Sequence, residues 1–172
     1  PPDEHGYCSC GLMADFIREG IETADRVILQ VNRNMPRNFS LDTVIHVSEA
    51  DRIVEYDDPL PVFPRTKITD VERKIGENCA TLVEDGSTIQ IGIGSIPDAV
   101  CEALKGKKNL GVHSELISDG IMDLYKSGAI TNLEKSREKR TMVAVFLMGT
   151  QELSDFADNN RALTLRRAAY VN

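Results

Sequence analysis

Beyond residue 65 the sequence alternates short β-branched apolar runs with stretches whose apolar residues recur at helical spacing, and this alternation restricts the accessible folds more than any other feature. Val71, Ile75, Cys79, Leu82 and Val83 form a helical stripe that stops at Glu84-Asp85-Gly86. STIQIGI then reads as a strand, and a helix opens near Pro97. LGVHSEL is extended, GIMDLYKSG is a short helix ending at Gly128, TMVAVFLM is a buried strand, and QELSDFADNN is helical with a stop at Asn159-Asn160. Strands and helices in this order predict an α/β fold, an open and mostly parallel sheet flanked by helices. Ligands of such sheets bind beyond the carboxyl ends of the strands. The loops after Ile91, Val112 and Met148 are therefore the places to look for chemistry.

The earlier residues fit the same class less tightly. PPDEHGYCSCG has no periodicity and reads as a loop, and its abrupt start suggests the middle of a longer protein. Leu12, Met13, Phe16, Ile17, Gly20, Ile21 and Ala24 follow at helical spacing. RVILQVN is apolar on both faces, as expected of a central strand covered by helices, and DTVIHV is a second such run. Pro59, Pro61 and Pro64 then interrupt any helix or ladder between Asp57 and Ile68. This places a domain boundary there, with residues 1–64 on one side, a linker from about 57, and residues 65–172 on the other.

Composition narrows the function classes. The net charge is -7, and residues 1–64 hold 12 acids against 5 bases, while the remainder is balanced. An acidic chain without a basic stripe is a poor binder of nucleic acid, whose affinity rests on neutralising phosphates. No apolar run reaches the length of a membrane span, and no basic-then-apolar leader opens the sequence, so a soluble cytoplasmic protein is expected. Cys8 and Cys10 lack a second pair to complete a metal site, and Cys79 and Cys101 read as small hydrophobes on helix faces.

Two segments carry candidate chemistry. Gly92-Ile93-Gly94-Ser95-Ile96-Pro97 follows a strand and opens a helix, with the proline suited to the first turn, where its missing N–H costs nothing. Glycines there let an anion or acyl group approach free amides at a positive helix end, although a tight turn needs glycine in any case. The third glycine of a dinucleotide-binding pattern is missing. In the second segment His113, Ser114, Glu115, Ser118 and Asp119 cluster at a strand end, an edge that is most often merely solvated.

Taken together, IQIGIGSIPDAV followed by LGVHSELISDGIMDL resembles the paired motifs of 4-hydroxybutyrate and butyryl/acetate CoA-transferases, within the wider acetyl-CoA hydrolase/transferase family. PPDEHGYCS, QVNRNMPR, DTVIHVSEADRIVE and VAVFLMGTQELSDFADNN resemble segments of that family in the same order, so the resemblance covers essentially the whole chain. It implies that Glu115 is the carboxylate that carries CoA as a glutamyl thioester, and that Gly92, Ile93, Gly94, Ser95 and Ile96 form the CoA-contacting turn. The family commonly has alanine where Ser95 stands. Coenzyme A, as acyl-CoA, is the only cofactor implied; the chemistry requires no metal.

A carboxylate ionised at neutral pH needs no general base to act as a nucleophile, only geometry and a dry site. His113 shares the face of Glu115 on an extended segment and either orients neighbours or bonds a substrate carboxylate; Gln90 either supports the site or makes a structural bond. The resemblance further implies two related isomerase/CoA-transferase-like domains, with residues 1–64 the end of the first and 65–172 the leading part of the second. It also implies a homo-oligomer and a piece of chain that is inactive or poorly folded alone. Two alternatives stand beside transfer: a CoA hydrolase, and a non-catalytic domain that binds CoA or a sugar phosphate through the turn.

Overall fold

The computed structural model describes residues 1–172. The second part of the chain forms the layered body. Strands β5 (Thr88–Ile89), β6 (Gly111–Val112), β7 (Leu116–Ile117), β8 (Met142–Ala144), β9 (Phe146–Leu147) and β10 (Leu163–Leu165) pair in parallel as β5–β6, β7–β9 and β8–β10. An isolated parallel bridge between His113 and Val143 links the β5–β6 pair to the β8–β10 pair. Helices α2 (Asp70–Ala80), α3 (Ser95–Ala103), α4 (Asp119–Lys126) and α5 (Gln151–Ala157) lie between the strands in sequence. Four of the five strand pairings in the chain are parallel. The α/β class and the mostly parallel pairing expected from the sequence are therefore found.

Sequence chemistry explains the helix ends. Thr69 caps α2 in a reciprocal box: its hydroxyl accepts from the Glu72 amide, and the Glu72 carboxylate accepts from the Thr69 amide. Gly128 stops α4 with φ of +84°, and Asn159 follows α5 with φ of +52°, both in the left-handed region. Of the 21 residues in the main buried cluster, Ala14 alone comes from before residue 80. The core is thus built from α3, α4, α5 and the sheet, with Leu104, Leu110, Ile121, Met142 and Leu165 fully buried.

The earlier part departs from its sequence pattern. β1 (Tyr7–Ser9) lies within the stretch expected to be a loop and pairs antiparallel with β3 (Val44–His46). α1 (Ile17–Thr23) is shorter than its pattern and buries no residue. β2 (Ile28–Val31), expected to be a covered central strand, pairs only with β4 (Arg52–Glu55), and Ile28 is 64% exposed. The stripe on α2 faces inward only in part, at Cys79 and Val83, which are half-buried. Val71 and Leu82 face outward, while the buried side is Gly76 and Ala80. Gly76 makes this possible, because a Cβ there would sit 2.5 Å from the Ala99 carbonyl oxygen, so only glycine lets α2 and α3 approach so closely.

The proline segment is extended and docked. The Phe63 amide donates to the Gly149 carbonyl (2.8 Å), and the Arg65 guanidinium donates to both Asp123 oxygens at 2.6 and 3.1 Å. These contacts lay residues 63–66 against the carboxyl ends of β7 and β9.

Candidate active site

β5 and β6 run in parallel with Ile89 opposite Val112. Beyond the ladder the same offset is kept by a side chain. The buried Ser114 hydroxyl accepts from the Ile91 amide (3.2 Å) and donates to the Ile91 carbonyl (3.1 Å). Continuing that register puts Gln90 beside His113 and Gly92 beside Glu115. The Ile91–Ser114 bonds thus tie the residue before the glycine turn to the residue before Glu115.

The turn presents unused donors. The amides of Gly92, Ile93 and Gly94 make no hydrogen bond within the chain, and α3 begins immediately afterwards at Ser95. Gly94 has φ of +123°, a conformation suited to glycine, which accounts for the second glycine. Gly92 is different: a Cβ there would meet no atom of the chain within 4 Å. Neither packing nor backbone conformation accounts for that glycine, whereas open space over three free amides suits a group approaching from outside. Ser95 fixes the turn from behind, its hydroxyl donating to Glu72. The bonds from Ser95 and Thr69 hold the Glu72 carboxyl down to about 2.

Glu115 lies where the strand bends, between β6 and β7, and its side chain is exposed. Its carbonyl accepts from the amides of both Val145 and Phe146 (2.9 and 3.1 Å), which pins the backbone, while its carboxylate makes no hydrogen bond or ion pair. His113 is half-buried, with its ring 6.1 Å from that of Tyr170. Gln90 is exposed, and its amide group makes no bond. Ile93 and Ile96 are exposed, flanking the turn.

A cavity of about 300 Å³ opens beside the turn. Ile93 and Gly94 form one wall, Leu116, Ser118 and Asp119 another, Met148 and Gly149 a third, and Phe63 to Thr66 of the docked segment close it. Two of the loops expected to carry chemistry, those after Ile91 and Met148, thus converge on one space. Glu115 is not among the lining residues; its neighbour Leu116 is. A larger cavity of about 570 Å³, lined by Arg33, Asn34, Asp155 and Asp158 among others, shares no residue with the turn.

Some features of the site could not be read from the sequence. Asp119 is buried and accepts from the Thr150 amide (3.0 Å) and hydroxyl (2.6 Å), so the loop after β9 is tied to the start of α4. Arg65 reaches Asp119 at 3.8 Å and Glu152 at 3.7 Å besides its two bonds to Asp123. Burial pushes the Asp98 carboxyl up from its ordinary value, against the opposing bond from Thr66. Cys101 is fully buried, which pushes its thiol up to about 12 and leaves it inert packing. Of these residues the sequence marked Asp119, in the polar cluster, and Cys101, as a small hydrophobe, but not Arg65 or Asp98.

Comparison with known proteins fixes the kinship. Residues 1–64 match the family model of the acetyl-CoA hydrolase/transferase N-terminal domain. Over 99% of its length the chain is 52% identical to the 4-hydroxybutyrate coenzyme A transferase of Clostridium kluyveri, of which it covers 40%. The chain belongs to the acetyl-CoA hydrolase/transferase family. It is also 32% identical over its whole length to a butyryl-CoA:acetate CoA-transferase of Anaerostipes caccae, covering 40% of that relative. Among solved structures, the 4-hydroxybutyrate CoA-transferase of Porphyromonas gingivalis superposes with a TM-score of 0.94 at 38% identity, over 99% of this chain and 43% of that one. RipA from Yersinia pestis superposes with a TM-score of 0.95 at 37% identity, over 99% and 40%. The chain spans about 40% of the length of the curated relatives it matches.

Proposed function

We propose that this chain carries the nucleophile and the anion-binding turn of a CoA-transferase that moves CoA between a short-chain acyl-CoA and a carboxylate such as acetate. The carboxylate of Glu115 attacks the acyl-CoA carbonyl, forming a C–O bond; the tetrahedral intermediate collapses to a mixed anhydride and expels CoA thiolate. The thiolate then attacks the glutamyl carbonyl, leaving a glutamyl-CoA thioester and the free acid. A second carboxylate reverses these steps and leaves as its own CoA thioester, so each proton-free exchange conserves the high-energy bond.

The observation that supports this reading is the row of three unbonded amides at Gly92, Ile93 and Gly94, directly after Ile91, which is bonded to the Ser114 that precedes Glu115. Each tetrahedral intermediate bears an oxyanion, and preorganised amide donors of this kind are each worth roughly 10²–10³ in rate. Their position at the start of α3 adds the positive end of the helix dipole. The names of the matched relatives point to the same reaction class. Residues 1–64 serve in it as the end of one domain and 65–172 as the leading part of the next, with the segment from about 57 joining them, and the whole enzyme works as a homo-oligomer.

The test is mass spectrometry of the enzyme carrying this sequence after incubation with acetyl-CoA or butyryl-CoA, with peptide mapping. A CoA adduct on Glu115, lost on hydroxylamine treatment and absent from Glu115→Ala, is the expected result. Acyl-CoA consumption that does not need added acetate identifies a hydrolase instead. An unmodified Glu115 under turnover conditions rejects the proposal and leaves the turn as a binding element only.

A further inference from the structure

The proline segment that joins the two parts is fastened at its ends and loose between them. Leu60 is buried, whereas Val62 and Phe63 are about half exposed. Pro59, Pro61 and Pro64 carry no amide hydrogen, and the bond from Phe63 to Gly149 is the one backbone bond of residues 59–66. The far end hangs on a side chain. Arg65 donates to both oxygens of Asp123 and lies 3.8 Å from Asp119 and 3.7 Å from Glu152, whose other oxygen pairs with Lys126 at 2.7 Å. Asp119 is in turn fixed by Thr150, so α4 and α5 present a preformed seat for the guanidinium. A fork matched to one carboxylate sets orientation as well as distance, which an ammonium does not.

This segment is also a partition. Phe63, Met148 and Gly149 line both the cavity beside the turn and a second, apolar one of about 260 Å³ that Leu12, Met13 and Met35 help to wall. On the turn's side, Ile93, Gly94 and Leu116, the neighbour of Glu115, line the space that residues 63–66 close. The mixed anhydride and the glutamyl thioester of the proposed reaction are both open to water, which outnumbers any carboxylic acid. Transfer therefore requires that water be kept from them.

We infer that Arg65 is a positioning residue for transfer: by latching the proline segment over the space beside the turn, it keeps water from the glutamyl thioester. Release of the latch joins the two cavities and admits water. The water oxygen attacks the glutamyl carbonyl and the C–S bond breaks. CoA leaves as its thiol with one proton of the water, the other proton is released, and the Glu115 carboxylate is regenerated. One arginine thus decides whether the bound CoA passes to an acid or is lost. The inference rests on the transferase reading above.

The test measures a ratio. In the enzyme carrying this sequence, consumption of butyryl-CoA is followed with and without acetate for the parent and for Arg65→Met, Arg65→Lys and Asp123→Asn. The parent is expected to need acetate. Arg65→Met raises the ratio of hydrolysis to transfer by roughly three- to tenfold, Asp123→Asn moves it the same way, and Arg65→Lys lies between. Hydrogen exchange at the Phe63 amide reports the latch directly, and Arg65→Met should speed it while the amides of β8 keep their protection. If Arg65→Met does not fold, the other two variants carry the test. A merely structural arginine lowers both rates together and leaves the ratio unmoved, which overturns the inference alone. A parent that hydrolyses as fast as it transfers overturns it as well, and a parent without acetate-dependent transfer overturns it together with the reading beneath it.

Discussion

The hydroxyl of Ser114 closes a two-way hydrogen bond with the backbone of Ile91, accepting from its amide and donating to its carbonyl, and so extends the β5–β6 register beyond the last ladder pair. Both residues are buried. Ser114→Ala leaves the Ile91 amide and carbonyl without partners in a dry environment, at a cost of about 1–3 kcal/mol. Chemical denaturation of the parent and variant proteins measures the loss, and an unchanged midpoint would mean that the register is held by something else.

Two glycines should behave in opposite ways. Gly76→Ala places a methyl group 2.5 Å from the Ala99 carbonyl oxygen, so the alanine destabilises despite gaining up to about 1 kcal/mol of helix propensity. Gly92→Ala meets no atom of the chain, so it should leave the melting temperature alone and instead lower kcat/KM, by roughly tenfold or more if the acyl group comes as close as the open space suggests. Thermal melts and steady-state kinetics on the two variants form a pair: a Gly92→Ala protein that melts early yet turns over normally would reverse the assignment.

Lys135 is a buried cation, 2% exposed, donating to the carbonyls of Val112 (2.8 Å) and Thr141 (2.6 Å). Burial pushes its amine down to about 8, partly opposed by Glu138. The unfolded chain, with an ordinary lysine near 10.5, therefore binds more protons than the folded one between about pH 8 and 10.5, and this group makes stability rise with pH across that window. The rise is on the order of 1–3 kcal/mol in total. Urea denaturation from pH 7 to 10.5 should show a steeper upward slope for the parent than for Lys135→Met, and parallel curves would refute the expectation.

Glu72 gives the same sign in an acidic window. Its carboxyl is held down to about 2 by Ser95 and Thr69, so its contribution is complete above the ordinary carboxylate value near 4.5 and fades as pH falls through about 2. Ser95→Ala removes the first of these donors, and a carboxyl-detected NMR titration should show the Glu72 midpoint moving up toward 4.5. Because Ser95 follows the turn directly, the same variant loosens the Gly92–Gly94 segment from α2, which hydrogen exchange at those amides reports.

How much was legible in the sequence differed between its two parts. Beyond α2 local rules and the fold agree: Pro97 sits in the first turn of α3, Gly128 ends α4, and the glycine turn follows a strand. The α2 stripe is inward only at Cys79 and Val83, because close approach to α3 selects the small residues Gly76 and Ala80 for the inside. β2 failed in a related way, since apolar character on both faces does not say what covers them. At the site, residue types point to the turn and to the cluster from His113 to Asp119, Ser118 included, but not to which of these groups are buried. Nor could they reveal Arg65, whose partner Asp123 lies 58 positions away.

The lopsided placement of the apolar cluster also sets the order in which the molecule comes apart. Opening β2 from β4 exposes little new hydrocarbon, because Ile28, Ile53 and Val54 already face water, whereas separating β8 from β10 exposes fully buried Met142, Ala144 and Leu165. Subglobal fluctuations should therefore fray the earlier strands first, and their amides should exchange long before those of the later sheet. The segment at Phe63–Arg65 is tied to Gly149 and Asp123 of the later body, so it should outlast the strands before it and keep the wall of the cavity beside the turn.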